Sequence, residues 1–464
     1  MDAPHSQLHI AMYPWLALGH LTAYIHLANK LAKRGHRISY FIPKRTKAKV
    51  EHFNLYPKLI TFIPITIPHV VGLPPDAETT FDVNLSIGTL MMTAMDRTEK
   101  DIELLLLELK PHIVFFDLAA WMPRLARSLG IKSLQYITMS MIFQCYMELE
   151  STEKHRRGKN EVGDDKVNLV NTPDGFPGSS IKLQAHEVRM LLSVINMEFG
   201  NGYSFSNRIS IGTRFSDAMG FRGCKEIEGP YADFLESFYG KPLLLSGPVI
   251  PEPPTTTLEP KWVEWLDGFK PGSVIYCAFG SECRMLQDQL KELLLGLEST
   301  GFPFLAVLKA PVGFDSVEEA MPKGFKERVH GRGIVHGGWV QQTLILDHPS
   351  IGCFITHCGV ASLLEALVNK CQIVVLPNYV DQIVNAKLIC SSLKLGVEIE
   401  KGEEDGSITK ESVSKAVKIV MDDKSEVGRE VRENHLKLRN ILLSKDLENT
   451  YVDNFCDKLR ELLG

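Results

Sequence analysis

Residues 8–42, LHIAMYPWLALGHLTAYIHLANKLAKRGHRISYFI, decide the fold class of this chain. An apolar run over 8–13 is followed by a turn that contains proline and glycine, and then by apolar residues spaced as on one face of a helix. Gly35 ends this helical pattern directly after two basic residues, which is a typical helix stop, and a second apolar run begins at Arg37. The pattern predicts a strand, a helix and a parallel strand, the unit of doubly wound α/β sheets.

The same plan occurs a second time at residues 273–308. The apolar run SVIYCAF precedes the turn GSEC, the helical pattern RMLQDQLKELLLGLE follows from residue 284, and PFLAVL comes after a stop at Gly301. Two such units in 464 residues predict two Rossmann-like domains that face each other across a cleft, a preferred place for ligands.

The domain boundaries follow from a proline-rich segment. Residues 245–260 hold five prolines and three threonines without periodicity, which is typical of a linker. We therefore expect an N-terminal domain over 1–244 and a C-terminal domain over 261–440, followed by a C-terminal helix over 441–464 that packs back on the first domain. The polar, glycine-rich segment 151–180 is predicted to be a loop insertion.

Composition excludes several classes of protein. The formal net charge of 51 − 56 = −5 argues against a nucleic-acid binder, and no apolar stretch is long enough to span a membrane. Nine cysteines form no CxxC pair, so we expect neither a disulfide framework nor a zinc site. The N-terminus is interpreted as a first strand and not as a signal peptide, and we expect a reducing, cytoplasmic location.

The clearest chemical signal lies within residues 336–389. There an apolar strand over 353–356 runs into HCGVAS and a helical pattern, so that backbone N–H groups at the helix start would point at whatever lies above them. This arrangement favours a phosphate site, although neither glycine-rich nucleotide fingerprint occurs. An ordinary strand-to-helix turn is the alternative that the residues alone leave open.

The same block resembles the donor-binding box of the plant UDP-sugar glycosyltransferases, a family with two Rossmann-like domains (the GT-B fold). The matching positions are Trp339-Val340-Gln341-Gln342, His348-Pro349-Ser350, Gly352, Phe354, Thr356-His357-Cys358-Gly359, Ser362, Glu365, Pro377, Asp381-Gln382 and Asn385-Ala386. The segments WVQQ and CQIVVLP are similar to the subgroup that adds a sugar to a sugar of a flavonoid or terpenoid glycoside.

The resemblance implies roles for the nucleotide-binding part of the box. Trp339, next to Val340, would stack on uracil, Gln342 would bind the uracil edge, and Glu365 would accept hydrogen bonds from the ribose. A core tryptophan and a solvated helix carboxylate are the alternatives for Trp339 and Glu365.

It also implies how the diphosphate and the sugar are held. His357, Ser362 and the Gly359 backbone would bind the diphosphate, with a further hydroxyl from Ser281. Asp381 and Gln382 would bind sugar hydroxyls. Helix N-caps are the alternatives for Ser281 and for Asp381 and Gln382.

Two residues depart from the family pattern. The usual Trp-Asn after His-Cys-Gly is Val360-Ala361 here, which removes an amide from the phosphate site and widens the sugar pocket. The donor therefore stays open among UDP-glucose, UDP-rhamnose, UDP-xylose and UDP-galactose.

Two residues of the first half are candidates for catalysis. His20 lies at the turn between the first strand and helix, where a helix dipole favours a neutral imidazole, and Asp117 ends the apolar run HIVFF. The alternatives are a polar helix-start residue and a helix N-cap. The resemblance assigns both to a catalytic His–Asp pair, in which the imidazole takes the acceptor proton.

The acceptor site is predicted from a methionine-rich region over 91–147. Such surfaces suit irregular apolar ligands, but core packing explains them equally well. Thr138, Met139, Ser140 and Phe143 are the candidate acceptor contacts.

Together these features predict an inverting, metal-independent transferase without cofactors, acting as a monomer on a UDP-sugar and a hydrophobic glycoside. The alternatives are a non-catalytic UDP-sugar-binding protein and a nicotinamide-dependent oxidoreductase.

Overall fold

The computed structural model describes residues 7–83, 87–157, 172–178, 180–252, 256–280 and 283–464. Their strands form a seven-stranded sheet in the order β3-β2-β1-β4-β5-β6-β7 and a six-stranded sheet in the order β10-β9-β8-β11-β12-β13. All neighbouring strands run parallel. The strands are β1 His9–Tyr13, β2 Arg37–Pro43, β3 Ile60–Ile65, β4 Ile113–Phe116, β5 Lys132–Ile137, β6 Ala218–Phe221, β7 Leu243–Leu245, β8 Val274–Ala278, β9 Phe304–Val307, β10 Gly333–His336, β11 Ile351–Thr356, β12 Gln372–Val375 and β13 Gly396–Glu398.

Helices connect these strands, as parallel pairing requires. They are α1 Leu18–Lys33, α2 Lys47–Val50, α3 Gly88–Asp96, α4 Glu99–Leu109, α5 Met122–Ser128, α6 Met141–Arg157, α7 Ala185–Ile195, α8 Phe205–Phe215, α9 Lys225–Tyr239, α10 Pro260–Asp267, α11 Gln287–Thr300, α12 Phe325–Arg328, α13 Gln342–Leu346, α14 Val360–Val368, α15 Asp381–Lys387, α16 Lys410–Met421, α17 Glu426–Leu442 and α18 Lys445–Glu461. The predicted α/β fold with two doubly wound sheets is confirmed.

Each sheet has one topological switch point. The strand order reverses between β1 and β4 in the first sheet and between β8 and β11 in the second. Ligands of doubly wound folds bind at the carboxyl ends of the strands beside such a reversal. The turns that follow these four strands are therefore where the candidate site is to be sought.

The repeated unit has the predicted form, with one difference at its second helix. The predicted glycine stops are confirmed, since Gly35 and Gly301 adopt the left-handed backbone with φ of 87° and 78°. The second helix was predicted from residue 284 but begins at Gln287. Leu286 is extended, and its N–H donates to the Gln289 side chain, which caps the helix start.

The C-terminal helix lies against the first sheet. Val452, Phe455 and Leu459 of α18 are buried in the same apolar cluster as the residues of β1 and α1. The ring of Phe455 packs edge-on against Phe115 of β4, with 6.0 Å between centroids.

The two halves also share a core. Ile383, Val384 and Leu388 from the second half pack in the main apolar cluster of the first half. Lys387 of α15 forms an ion pair of 2.8 Å with the buried Glu187 of α7. The carboxyl edges of the two sheets are thus held close to each other.

Of the predicted loop insertion, α6 extends to Arg157, while residues 158–171 and 179 lie outside the described residues. Within the described part of the chain, no helix is long and apolar enough to cross a membrane.

Candidate active site

The switch point of the first sheet brings the predicted His–Asp pair together. His20 is the third residue of α1, and Asp117 directly follows β4. His20 Nδ1 lies 2.5 Å from Asp117 Oδ2 and 2.7 Å from Thr138 Oγ1. Because a carboxylate only accepts, Nδ1 donates its hydrogen, and Nε2 is then the basic nitrogen of the ring.

Asp117 is held rigidly behind the imidazole. Its side chain is 0% exposed, and its backbone carbonyl accepts a hydrogen bond of 2.8 Å from the Gln135 amide. Its Oδ1 is buried without a hydrogen-bond partner among the described residues. The helix N-cap alternative is excluded, since α5 begins only at Met122.

The candidate acceptor contacts are two residues with hydroxyl groups and two apolar residues of the core. Thr138 was predicted to touch the acceptor, but its hydroxyl is hydrogen-bonded to His20. Ser140 is buried, and its Oγ has no hydrogen-bond partner among the described residues. Met139 is 8% exposed and Phe143 is 0% exposed, and both lie in the main core cluster of the first half.

Core packing also accounts for the methionine-rich region. Its other members are buried in the same cluster: Met91, Met92, Met95, Met122, Met141 and Met147. Of the two interpretations of this region, the structure therefore favours core packing, in which Phe143 takes part, and contact of Phe143 with the acceptor stays a prediction.

The switch point of the second sheet is built from glycine and a partly buried imidazole. A Cβ added to Gly280, in the turn after β8, would lie 3.1 Å from Cε1 of His357, which follows β11. A Cβ added to Gly359 would lie 2.7 Å from Nε2 of the same ring. The two turns therefore meet at His357, and neither glycine position has space for a side chain. Ser281 lies outside the described residues.

His357 is electrostatically neutral. Burial lowers the pKa of its imidazole to about 4. Its Nδ1 is buried without a hydrogen-bond partner in the part of the chain that the structure describes. A neutral imidazole of this kind is suited to hydrogen bonding, and not to carrying a positive charge at neutral pH.

The start of α14 lies directly after this turn. The first N–H groups of a helix have no intrahelical acceptor, and the N-cap of α14, Gly359, has no side chain that could cap them. These are the N–H groups of Val360, Ala361 and Ser362, at the positive end of the helix dipole. The arrangement has the form of an anion site.

Trp339 and Val340 have opposite environments. Trp339 is 73% exposed, which excludes the core alternative and leaves its ring face accessible for stacking. Val340 is 5% exposed and packs in the core beneath the second sheet.

Gln342 and Glu365 are bonded to each other. Gln342 Nε2 donates to Glu365 Oε2 over 2.6 Å, and its Oε1 accepts from the Tyr276 hydroxyl over 3.1 Å. Burial raises the pKa of Glu365, while the Gln342 bond and the nearby Arg222 lower it. The solvated-carboxylate alternative for Glu365 is therefore excluded.

Asp381 and Gln382 open α15, preceded by a strained residue. Val380 has φ of 56°, the left-handed region, which is costly for a β-branched side chain. Gln382 Oε1 accepts from the backbone N–H of Asn378 over 3.1 Å and also from that of Tyr379. Gln382 thus holds the loop before the helix.

Asp381 faces the first half of the molecule. The helix that it opens packs against α6 of the first half, and both the Ser140 backbone and His20 act electrostatically on its carboxylate. Burial raises its pKa to about 6, against the lowering effects of Asn385 and His20. The candidate base and the candidate sugar ligand are thereby brought to opposite walls of one site.

Sequence reasoning missed two polar residues that support these walls. Gln135 is buried in β5, and its Oε1 accepts from the Thr213 hydroxyl over 2.6 Å. Tyr276 is buried in β8. The signal for Gln135 was a lone amide inside an apolar strand, whereas tyrosine in a strand is too common to be a signal. No group of three or more His, Cys, Asp or Glu suited to a metal occurs among the residues that the structure covers.

Comparison with known proteins decides the family. A family model described as "UDP-glucoronosyl and UDP-glucosyl transferase" matches residues 273–447. A cyanidin 3-O-galactoside 2''-O-xylosyltransferase of Actinidia chinensis var. chinensis is 58% identical over 464 residues, 100% of both chains. An anthocyanidin 3-O-glucoside 2''-O-glucosyltransferase of Ipomoea nil is 53% identical, again over 100% of both chains. The chain belongs to the plant UDP-glycosyltransferase family.

Solved structures of plant UDP-glycosyltransferases have the same fold. A UDP-glucosyltransferase from Polygonum tinctorium capable of glucosylating indoxyl superposes with a TM-score of 0.80 at 21% identity, covering 99% of both chains. A Glycyrrhiza uralensis enzyme complexed with glycyrrhetinic acid 3-O-monoglucuronide gives 0.81 at 20% identity, covering 98% of this chain and 96% of that one. The oxidoreductase alternative is wrong, because this glycosyltransferase uses a UDP-sugar.

Proposed function

We propose that this UDP-glycosyltransferase moves a sugar from a UDP-sugar to a hydroxyl on the sugar of a flavonoid glycoside, with inversion at the anomeric carbon. Its relatives from Actinidia and Ipomoea carry names of enzymes that extend the 3-O-sugar of cyanidin or anthocyanidin glycosides. The observation that carries the chemistry is the His20–Asp117 pair, joined at 2.5 Å on the wall opposite Asp381.

His20 acts as the general base. With Nδ1 engaged by Asp117, Nε2 takes the proton of the acceptor hydroxyl as that oxygen forms a bond to the anomeric carbon. The bond from this carbon to the phosphate oxygen breaks, and UDP leaves with the electron pair. Asp117 stabilises the imidazolium that results.

The second switch point receives the nucleotide. The N–H groups at the start of α14 and the neutral His357 bind the diphosphate and stabilise the charge that develops as it departs. Trp339 stacks on uracil. Gln342 and Glu365 bind the nucleoside, with Glu365 accepting from the ribose, and their mutual bond holds them in place beforehand.

The donor sugar contacts Asp381 and the widened wall at Val360 and Ala361. Of the two relatives, one is named as a xylosyltransferase and the other as a glucosyltransferase, so both donors are candidates. UDP-galactose and UDP-rhamnose are the further donors to test.

We also propose the division into domains over 1–244 and 261–440, joined by a linker over 245–260. The two separate sheets support it. The C-terminal segment 441–464, whose helix α18 runs over Lys445–Glu461, would belong with the first domain, which the packing of α18 supports. We further infer a monomer, and we infer a location in the reducing cytoplasm, which nine cysteines without a disulfide support.

A matrix of donors and acceptors tests the proposed function. UDP-xylose, UDP-glucose, UDP-galactose and UDP-rhamnose are each offered with cyanidin, its 3-O-glucoside and its 3-O-galactoside, and products are identified by mass spectrometry and by NMR of the new linkage. We expect one pentose or hexose to be added to the sugar of a 3-O-glycoside. Transfer to the aglycone alone would contradict sugar-on-sugar transfer, and donor binding without UDP release from any pair would favour the non-catalytic alternative.

A further inference from the structure

Glu228 is a buried carboxylate that the proposed mechanism does not use. It lies in α9, where the helix is kinked: its φ of −126° and ψ of 25° are not helical, and Pro230 follows two residues later. It is only 7% exposed. A buried glutamate is costly unless its oxygens are hydrogen-bonded, so its partners indicate what it does.

Those partners are backbone N–H groups at the start of α6. Glu228 Oε1 accepts from the Ile142 N–H over 3.1 Å, and the neighbouring Met141 N–H also lowers the pKa of the carboxylate. A Cβ added to Gly223 would lie 3.2 Å from Glu228 Oε2 and 2.9 Å from the Met141 side chain. The carboxylate is therefore confined to one position by the backbone on both sides.

The start of α6 connects the two walls of the site. Thr138, just before the helix, holds Nδ1 of His20 over 2.7 Å. α15, which begins at Asp381 of the second half, packs against α6, and the Ser140 backbone N–H lowers the pKa of the Asp381 carboxylate. The segment 138–142 thus contacts the candidate base, the candidate sugar ligand and Glu228 within five residues.

We propose that Glu228 is a positioning residue for transfer. By binding the N–H groups at the start of α6, it fixes the segment 138–142, and through it the distance between His20 and Asp381. Transfer requires the acceptor oxygen, held by the base, to approach the anomeric carbon in line, and misplacement of about 1 Å is enough to cost on the order of 100-fold in rate. This inference rests on the proposed function of His20.

The charges at this helix start are consistent with such a role. Two carboxylates, from Glu228 and Asp381, lie at the positive end of α6, where negative charge is stabilised. Burial and the nearby charge of Asp381 raise the pKa of Glu228 to about 7, while the two N–H bonds lower it.

The test compares two buried carboxylates at α6: Glu228, which reaches its start from α9, and Glu148, which belongs to α6 itself. Glu148 of α6 is 2% exposed and accepts hydrogen bonds from Gln144 and Ser210. Within the described part of the chain, its hydrogen bonds do not involve the segment 138–142. Glu228→Ala, Glu228→Gln, Glu148→Ala and Glu148→Gln are compared in kcat, in KM for the acceptor, in affinity for UDP and in thermal midpoint.

We expect Glu228→Ala to lower kcat by about 10- to 100-fold while its affinity for UDP stays within twofold. Glu228→Gln keeps the side-chain volume and one accepting oxygen, so it should fold and recover most of kcat. The Glu148 variants should lower the thermal midpoint and change kcat by less than threefold. Equal losses of kcat at Glu228 and Glu148, or wild-type kcat in Glu228→Ala, would overturn the inference. Loss of transfer by the wild type in the same assay would count against the proposed function instead.

Discussion

The two switch points have the same topology but opposite chemistry. At the first, a carboxylate after β4 binds the imidazole of His20 and prepares it to take a proton. At the second, the residue after β11 is itself a histidine, packed between glycines and kept neutral by burial. The strand order therefore sets where a site forms in each sheet, and the residue after the strand decides whether that site accepts protons or binds anions.

The largest effect is expected at the first switch point. His20→Ala should lower the rate of transfer about 1,000-fold or more, because the variant lacks the imidazole that takes the acceptor proton in the proposed mechanism. Affinity for UDP, measured by calorimetry, should stay unchanged, since His20 lies on the opposite wall. Turnover near that of the wild type would show that His20 is not the base, and the proposed difference in role between His20 and His357 would be wrong.

Asp117→Asn tests the partner of that base. The amide can still accept from Nδ1, but it no longer stabilises the imidazolium, so we expect kcat to fall on the order of 100-fold with little change in KM for the acceptor. Steady-state kinetics of the variant would show this. A change below threefold would mean that Asp117 only orients the ring.

Substitutions at the second switch point should change the affinity for UDP and not the rate of the chemical step. Trp339→Ala is expected to weaken UDP binding by about 10- to 100-fold, the usual contribution of base stacking on an exposed aromatic ring. Trp339→Phe is the matched control, since it keeps a ring face and should lose less. Unchanged UDP affinity in Trp339→Ala would place the base elsewhere.

The smallest effect is expected in the pH dependence of UDP-sugar binding, which we attribute to Asp381. Its pKa of about 6 lies above the ordinary value, so the carboxylate is charged at pH 7.5 and becomes protonated as the pH falls through 6. The dissociation constant of the UDP-sugar, measured without acceptor, should therefore rise about threefold to tenfold between pH 7.5 and pH 5. Asp381→Asn should remove this dependence. The same slope in the variant would assign it to another group.

The sequence predicted the places of the site residues because those places follow from local patterns. An apolar run, a turn and a helical rhythm locate the carboxyl end of a strand, which is how His20 and Asp117 were found. Trp339 lies in a turn between β10 and α13, and its exposure there agrees with the stacking role proposed for it.

The partners of those residues were not predictable from local patterns. Thr138 was predicted to touch the acceptor, yet its hydroxyl binds His20, a contact between positions 118 residues apart. Phe143 was predicted in the acceptor pocket and is buried in the core. Glu228 gave no signal, because its carboxylate accepts from the Ile142 N–H, a contact between α9 and α6 that joins positions 86 residues apart.

The most direct test is a crystal structure with a non-transferable UDP-sugar and a flavonoid 3-O-glycoside bound together. We predict diphosphate oxygens within hydrogen-bond distance of the N–H groups of Val360–Ser362, and His20 Nε2 about 3 Å from an acceptor sugar hydroxyl that faces the anomeric carbon. A nucleotide bound away from the turn after β11, or a His20 ring remote from the acceptor hydroxyl, would contradict the account.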